Sequence, residues 1–405
     1  LRTNIIAKFV EEGVDMNKGK FMDVDKLMVK LSFTSYLSLF GRSGDIKQII
    51  GKALKQIDPY PQTLVWGPVI GSYGADQNVA LVYISKFYDS NTYNVVVRGT
   101  NPFSLISWWF EDLIVWEKVP WQPGSPSTLA QEAKISNATA TSLNIHLNLT
   151  DKDLGSNLID FLKSELRKNN LTINFTGHSL GGLMAPTLAL KFYETLDEEL
   201  LGKVDSINTY AFAGPTAGDS NFVKYMESVF RKETFKDHIF FRNDHDVAVR
   251  VWNTSDMKQI FDFYDDDGVP VTSVLKFIVG GLTATVEGLE YKQPSETMKK
   301  VPQLLIDIKE KLNLKDLKDI HLEHEFGLIG HRLLEFAQRI GLIKKDALDV
   351  TFFWLLMAQL QHIFAYLEIL DKDDANYCYI KNDIMKPLIY RAFPGKQVRN
   401  LMGKI

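Results

Sequence analysis

Along the middle of the chain, short and nearly continuous apolar runs alternate with segments whose apolar positions recur at helical spacing. "VALVYISKF" (79–87) and "YNVVVRGT" (93–100) read as strands joined by a hairpin turn at Asp89-Ser90-Asn91. Helical spacing dominates 21–57 ("VDKLMVKLSFTSYLSLF", "DIKQIIGKALKQI"), the first part of "LISWWFEDLIVWEKVPW", and 154–168, where Leu158, Phe161, Leu162 and Leu166 share one side. A looser Ser/Thr/Asn-rich stretch covers about 122 to 150. Strand and helix then alternate: "LTINFTG", "GLMAPTLALKFYETL", "VDSINTYAFAG" (204–214), "SNFVKYMESVF" (220–230) and "DHIFFRND" (237–244). Apolar strands interleaved with helices predict an α/β fold, a mostly parallel central sheet flanked by helices on both faces. From 255 to 350 the pattern becomes helices with charge-rich connectors and no clear strand, which reads as a helical insertion or cap within one domain of 1–405.

Composition narrows the function classes. The 405 residues are 45% hydrophobic and 24% charged, enough apolar material for a large core. A net charge of −4 lacks the basic excess that nucleic acid would demand. The single cysteine, Cys378, excludes an intrachain disulfide framework and a thiolate metal cluster, which fits a reducing compartment or a disulfide-free secreted protein. No apolar run approaches bilayer-spanning length, so a soluble protein, secreted or cytoplasmic, is expected. The opening "LRTNIIAKF" has neither initiator methionine nor apolar h-region and reads as a trimmed or mature form. Five Asn-x-Ser/Thr sequons start at Asn137, Asn148, Asn170, Asn174 and Asn253; most read as chance, since Asn174 falls in an expected buried strand.

The strongest candidate chemistry lies in "LTINFTGHSLGGLMAPTLAL", residues 171–190. Ser179 sits between Gly177 and Gly181, with a strand entering the turn and a helix leaving it, the setting of a nucleophile elbow. Such a turn strains the serine backbone and excludes side chains two residues to either side, which the glycines allow. The helix N-terminus also presents free N–H groups to a developing oxyanion. The bland alternative is a glycine-rich strand-to-helix turn without chemistry.

A serine hydroxyl needs a base, the base an orienting carboxylate, and the tetrahedral intermediate needs donors. In the order Ser, acid, His, "IFFRNDHDVAVRVW" supplies Asp244 and Asp246, either of which could instead be an exposed turn carboxylate. Beyond them lie His321, His324, His331 and His362; His146, His178, His238 and His245 fall elsewhere. "VVVRGT" ends in Arg98-Gly99-Thr100, where a backbone N–H and the Thr100 hydroxyl could face an oxyanion, or which could be a simple strand-end turn. "HLEHE" (321–325) has the wrong order for a zinc-binding His-Glu-x-x-His, and "FYDDDG" (263–268) lacks calcium-loop spacing. No metal or cofactor is therefore expected.

Taken together, "VVVRGT…SWWFEDL", "FTGHSLGGLMA", "YAFAGPTAGD" and "RNDHDVAVRV" resemble the class 3 lipases, the fungal-type triacylglycerol lipases and their relatives of the α/β-hydrolase superfamily, over roughly 75–255. The resemblance implies Ser179 as nucleophile and the Leu180 N–H with Thr100 as oxyanion hole. It favours Asp246, which closes an Asn-x-x-Asp pattern from Asn243, over Asp244. Val249 stands where the family usually has a proline after the acid, a departure that implies a different loop tip. Asp112 matches a structural carboxylate, and "NPFSLISWWFEDL" falls where fungal members carry a helical lid.

The family histidine lies near the C-terminus before an aromatic and an apolar residue. His362, followed by Tyr366-Leu367, fits best, although "TFFWLLMAQLQHIFAYLEIL" also reads as one buried helix. His331, after two glycines at a helix start, is the alternative base. Phe103, Leu105, Ile106, Trp108 and Trp109 could close over an acyl pocket or lie on a lipid surface, or simply be core. The apolar stretch 271–289 is a second lid candidate. The expected reaction is hydrolysis of a carboxylic ester, an acylglycerol or similar lipid ester, with transient lipid contact and no nucleic acid; oligomeric state stays open. The rival readings are an inactive hydrolase fold that binds an apolar ligand or partner, and, among enzymes, a phospholipase A1 or acyltransferase.

Overall fold

β-branched and aromatic residues build the sheet, as in "TYNVVV", where five of the six side chains are buried. The computed structural model describes residues 22–41, 45–73, 76–99, 115–122, 127–264, 271–304, 345–392, 398–399 and 402–403. Helix α1 (Asp23–Thr34) runs into a short 3-10 turn, Ser35–Leu39, before α2 (Ile46–Lys55). Among the described residues the central sheet has seven strands, β1 (Gln62–Tyr73), β2 (Asp76–Phe87), β3 (Thr92–Val97), β4 (Leu171–His178), β5 (Val204–Phe212), β6 (Phe235–Asn243) and β7 (Met298–Val301), adjacent in that order. β1, β2 and β3 pair antiparallel, and β3 through β7 pair parallel.

Parallel neighbours need crossover connections. These carry α3 (Asn137–Asn148) and α4 (Leu158–Lys168) before β4, α5 (Leu180–Glu194) before β5, α6 (Ser220–Phe230) before β6, and α7 (Ser273–Val286) before β7. Helix α8 (Lys345–Leu367) follows the sheet. Caps fix where the crossover helices begin: Asn157 accepts from Asp160 N–H at α4, and Asp219 from Phe222 N–H at α6.

Two cores lie on the two faces of the sheet, and strand residues alternate between them. Leu81, Tyr83, Val96, Tyr210, Phe212 and Phe241 pack with α1, α2 and α8. Val82, Ile84, Val95, Val97, Phe175 and Ile207 pack with α3, α4, α5 and α6. Within the sheet a row of amides crosses the strands. Asn94 Nδ2 donates to Gln62 Oε1, Asn174 Nδ2 to Asn94 Oδ1 and Asn208 Nδ2 to Asn174 Oδ1, at 3.0, 2.8 and 2.8 Å. Asn94 faces Asn174, and Asn174 faces Asn208, in strict register. Each buried amide thereby meets a neighbour, and the sequon at Asn174 is interior.

Three of the elements that the apolar pattern missed bear on the central sheet and its crossovers. β1 is an edge strand whose alternation is broken by Gly67-Pro68 and by register shifts on either side of Trp66. The loose stretch 122–150 contains α3, started by Ser136, whose hydroxyl accepts from Thr139 N–H. β7, with sequence "MKKV", lies inside 255–350, where no strand was expected; it pairs with β6 at the other edge and buries only Val301. Residues 305–344 of that region lie outside the described residues.

Candidate active site

At the end of β4 the chain turns through Ser179, which adopts φ 62° and ψ −127° before α5 begins at Leu180. This left-handed backbone costs on the order of 1 kcal/mol or more for a non-glycine residue and persists only where the surroundings enforce it. Ser179 N–H donates to Phe212 O at 2.9 Å, and Leu183 N–H to Ser179 O at 3.1 Å. A Cβ on Gly177 would lie 2.6 Å from Val97 O, and one on Gly181 would strike Val97 O itself. The two glycines are thus required by the close approach of β3 to the elbow. Ser179 is only 4% exposed. As the first residue of α5, Leu180 has an N–H without an intrahelical acceptor.

The end of β3 abuts the serine, since a Cβ on Gly99 would come within 2.9 Å of Ser179 Cβ and collide with the Tyr36 hydroxyl. Beside it the buried Arg98 guanidinium donates from Nη1 to Ser38 Oγ at 2.6 Å and from Nε to Gly99 O at 3.3 Å. Burial lowers the Arg98 pKa to about 10, with Tyr36 acting in the opposite sense, so the group stays cationic at neutral pH. Thr100, Phe103, Leu105, Ile106, Trp108, Trp109 and Asp112 lie outside the described residues, and the aromatic lid expectation with them. In the second lid candidate, α7 leaves Phe277 83% exposed.

β6 leads to Asp246. After Asn243 the chain turns, and Asp246 is fully buried. Its carboxylate accepts from His362 Nδ1 at 2.9 and 3.0 Å, from the Tyr366 hydroxyl at 2.9 Å and from Ala248 N–H at 2.8 Å. His362 and Tyr366 are one helical turn apart on α8, so both face the same carboxylate. Burial, reinforced by the Asp246 charge, raises the Tyr366 pKa well above its ordinary value and keeps the hydroxyl a donor. Tyr366 also accepts from Asn243 N–H at 3.0 Å, and Asn243 Nδ2 donates to Gln361 Oε1 at 2.9 Å. The Asn-x-x-Asp pattern therefore grips α8 at Gln361, His362 and Tyr366.

With Nδ1 turned to Asp246, His362 Nε2 is buried and has no hydrogen-bond partner among the described residues. The ring of His178, adjacent to Ser179 in sequence, lies 4.7 Å from the His362 ring, centroid to centroid. His362 lies in the long helix α8, and its Nδ1 meets Asp246. Asp244 is turned elsewhere, bonded to Lys300 at 2.8 Å and close to Arg242 and Arg250. His321, His324 and His331 lie outside the described residues. Tyr36, Gln361 and the hydroxyl role of Tyr366 escaped sequence reasoning; the aromatic four residues after His362 was the one visible signal. Among the described residues no group of His, Cys, Asp and Glu could hold a metal ion, and no helix is long and apolar enough to cross a membrane.

A serine on a strained strand-to-helix turn of a mixed sheet, with a buried Asp-His pair nearby, defines an α/β-hydrolase-fold serine hydrolase. Residues 94–256 match the model of the lipase (class 3) family. With the elbow and the Asp–His pair, that match supports a serine ester hydrolase of the lipase/esterase type. The fold is similar to that of M37 lipase, with a TM-score of 0.68 at 24% identity, covering 91% of this chain and 100% of that one. Two further lipase structures match over 57% of this chain and 75% of their own. Lipase II from Rhizopus niveus does so at 20% identity and a TM-score of 0.39. A triacylglycerol lipase described as having a serine protease triad does so at 17% identity and 0.41. No curated protein sequence matches the chain.

Proposed function

We propose that the protein cleaves acylglycerols or similar lipid esters through Ser179, His362 and Asp246. The observation that carries this reading is the buried Asp246–His362 pair, which holds the imidazole with Nδ1 protonated and leaves Nε2 free to accept a proton. Ser179 Oγ attacks the ester carbonyl carbon while His362 Nε2 takes the hydroxyl proton. The oxyanion is met by the Leu180 N–H, and by Thr100 if the family pattern extends to it. Collapse of the tetrahedral intermediate expels the alcohol, which His362 protonates. Water then enters with His362 as base, releases the carboxylic acid and restores Ser179. Asp246 holds the imidazole in place and stabilises the imidazolium.

A lipid-ester substrate accords with the class 3 family match, and the exposed Phe277 of α7 offers an apolar contact to a lipid surface. A single domain of 1–405, with 255–350 inserted in it, is consistent with a sheet that takes β7 from within that region.

The test is hydrolysis of p-nitrophenyl butyrate and emulsified tributyrin, with fluorophosphonate labelling. Ser179→Ala and His362→Ala should each abolish turnover, and Ser179→Ala should abolish labelling. Full activity in Ser179→Ala would overturn the assignment. Release of fatty acid only from the sn-1 position of phospholipid, or transfer to an added alcohol in preference to water, would redirect the substrate class.

A further inference from the structure

Both ring nitrogens of His178 are engaged, and neither bond belongs to the reaction just described. His178 is 1% exposed and lies between Phe33 of α1, at 4.8 Å between centroids, and His362 of α8, at 4.7 Å. Its Nε2 is 2.7 Å from the backbone carbonyl oxygen of His362, which can only accept, so Nε2 carries the hydrogen. In the neutral ring Nδ1 is then an acceptor, and the Tyr36 hydroxyl 2.9 Å away donates to it. Burial, joined by the neighbouring His362, pushes the His178 pKa well below the usual histidine range, while the bond to the His362 carbonyl opposes this only in part. Burial also raises the Tyr36 pKa, against the pull of Arg98, so Tyr36 remains a donor.

We propose that Tyr36 and His178 form a positioning relay, in which Tyr36 selects the His178 tautomer and His178 Nε2–H holds the backbone of His362 in reach of Ser179. This rests on the assignment of Ser179 and His362 proposed above. His178 immediately precedes Ser179, so one residue ties the backbone of the base to the backbone of the nucleophile. Asn243 and Asp246 fix α8 to the end of β6, and the His178 bond ties the same helix to the end of β4, where Ser179 sits. A displacement of about 1 Å between reacting groups costs on the order of 100-fold in rate. The neutral ring matters as well, because a charged His178 would repel the imidazolium that forms at His362. Tyr36 comes from the 3-10 turn after α1, outside residues 94–256 that match the family. The N-terminal elements thereby become part of the active-site support.

His178→Phe keeps an aromatic ring in the slot and removes the donor. His178→Gln places an amide N–H near the position of Nε2. With soluble p-nitrophenyl butyrate, His178→Phe should lose about 10- to 100-fold in kcat with KM within about threefold, at a temperature where it stays folded. His178→Gln should recover at least about a third of wild-type kcat, and fluorophosphonate labelling rates should follow the same order. Tyr36→Phe should lower kcat about threefold, since the tautomer is no longer selected. Wild-type kcat in His178→Phe, or equal loss in the Phe and Gln variants, would show a packing role and overturn the relay; full kcat in Tyr36→Phe would remove Tyr36 from it. An inactive wild-type protein, or an active Ser179→Ala, would instead defeat the underlying triad assignment.

Discussion

Asp246→Asn changes one atom and should silence the site by inverting a hydrogen-bond pattern. The carboxylate faces three donors: His362 Nδ1–H, the Tyr366 hydroxyl and Ala248 N–H. Ala248 N–H can only donate, and it lies 2.8 Å from Oδ1. Tyr366 accepts from Asn243 N–H and directs its own hydrogen at Oδ2. An asparagine that satisfies Ala248 with its carbonyl oxygen turns its NH2 towards Tyr366 and His362. His362 then becomes an acceptor at Nδ1 and carries its hydrogen on Nε2, where it can no longer take the proton of Ser179. Loss of the correct tautomer costs about 10,000-fold in kcat in the serine protease triad, and the same order is expected here. The assay is steady-state kcat on p-nitrophenyl butyrate, with the His362 tautomer read by 15N NMR of histidine-labelled protein. A folded Asp246→Asn variant that retains more than about a tenth of wild-type kcat would refute the tautomer argument.

Three further outcomes follow from the packing. Gly181→Ala forces a Cβ into Val97 O and to 2.9 Å from Val97 C, so the elbow must shift; labelling of Ser179 should slow by about 100-fold, and an unchanged rate would contradict the close packing. Asn174→Leu strands the Asn94 side-chain carbonyl and leaves the Asn208 amide only its 3.3 Å bond to Ser206 Oγ, and urea unfolding should show a loss of about 1–3 kcal/mol with kcat per folded molecule retained. His146 is held neutral by burial, partly against its bond to Ser142 O, with a pKa lowered to about 4 from 6.5. Its unfolded form therefore gains a proton first as pH falls. The stability tied to its neutral form is intact above about 6.5 and lost between there and about 4. His146→Gln should flatten the pH dependence of unfolding free energy across that window by at most about 3 kcal/mol, and an unaltered slope would show that His146 does not carry it.

What could be read from the chain follows the range of the forces involved. The alternation of apolar strands with helices specified a mostly parallel α/β sheet with two covered faces, because side-chain periodicity is local. β1 and β7 were hidden: one is interrupted by Gly67-Pro68, and the other is a lysine-rich edge strand that exists only by pairing with β6. Neither carries the continuous apolar run that marks an interior strand.

The elbow was legible on its own for the same reason. Gly177, Ser179 and Gly181 fall within five residues, so the pattern of the turn shows along the chain even though β3 supplies part of the steric demand. The pairing of acid with base was not, since His362 is 116 positions from Asp246, and the residues alone left His331 standing beside it. Only the packing of α8 against the end of β6 brings Nδ1 to the carboxylate, with Tyr366 a turn later closing the same bond network. Tyr36 lay further still from recognition, because a hydroxyl that selects a tautomer leaves no pattern along the chain. The sequence by itself determined which turn could carry a nucleophile, since that is a matter of local backbone strain. The tertiary structure decided which distant side chains meet near it, Asp246 with His362, since buried polar groups settle on partners only when the whole core is assembled.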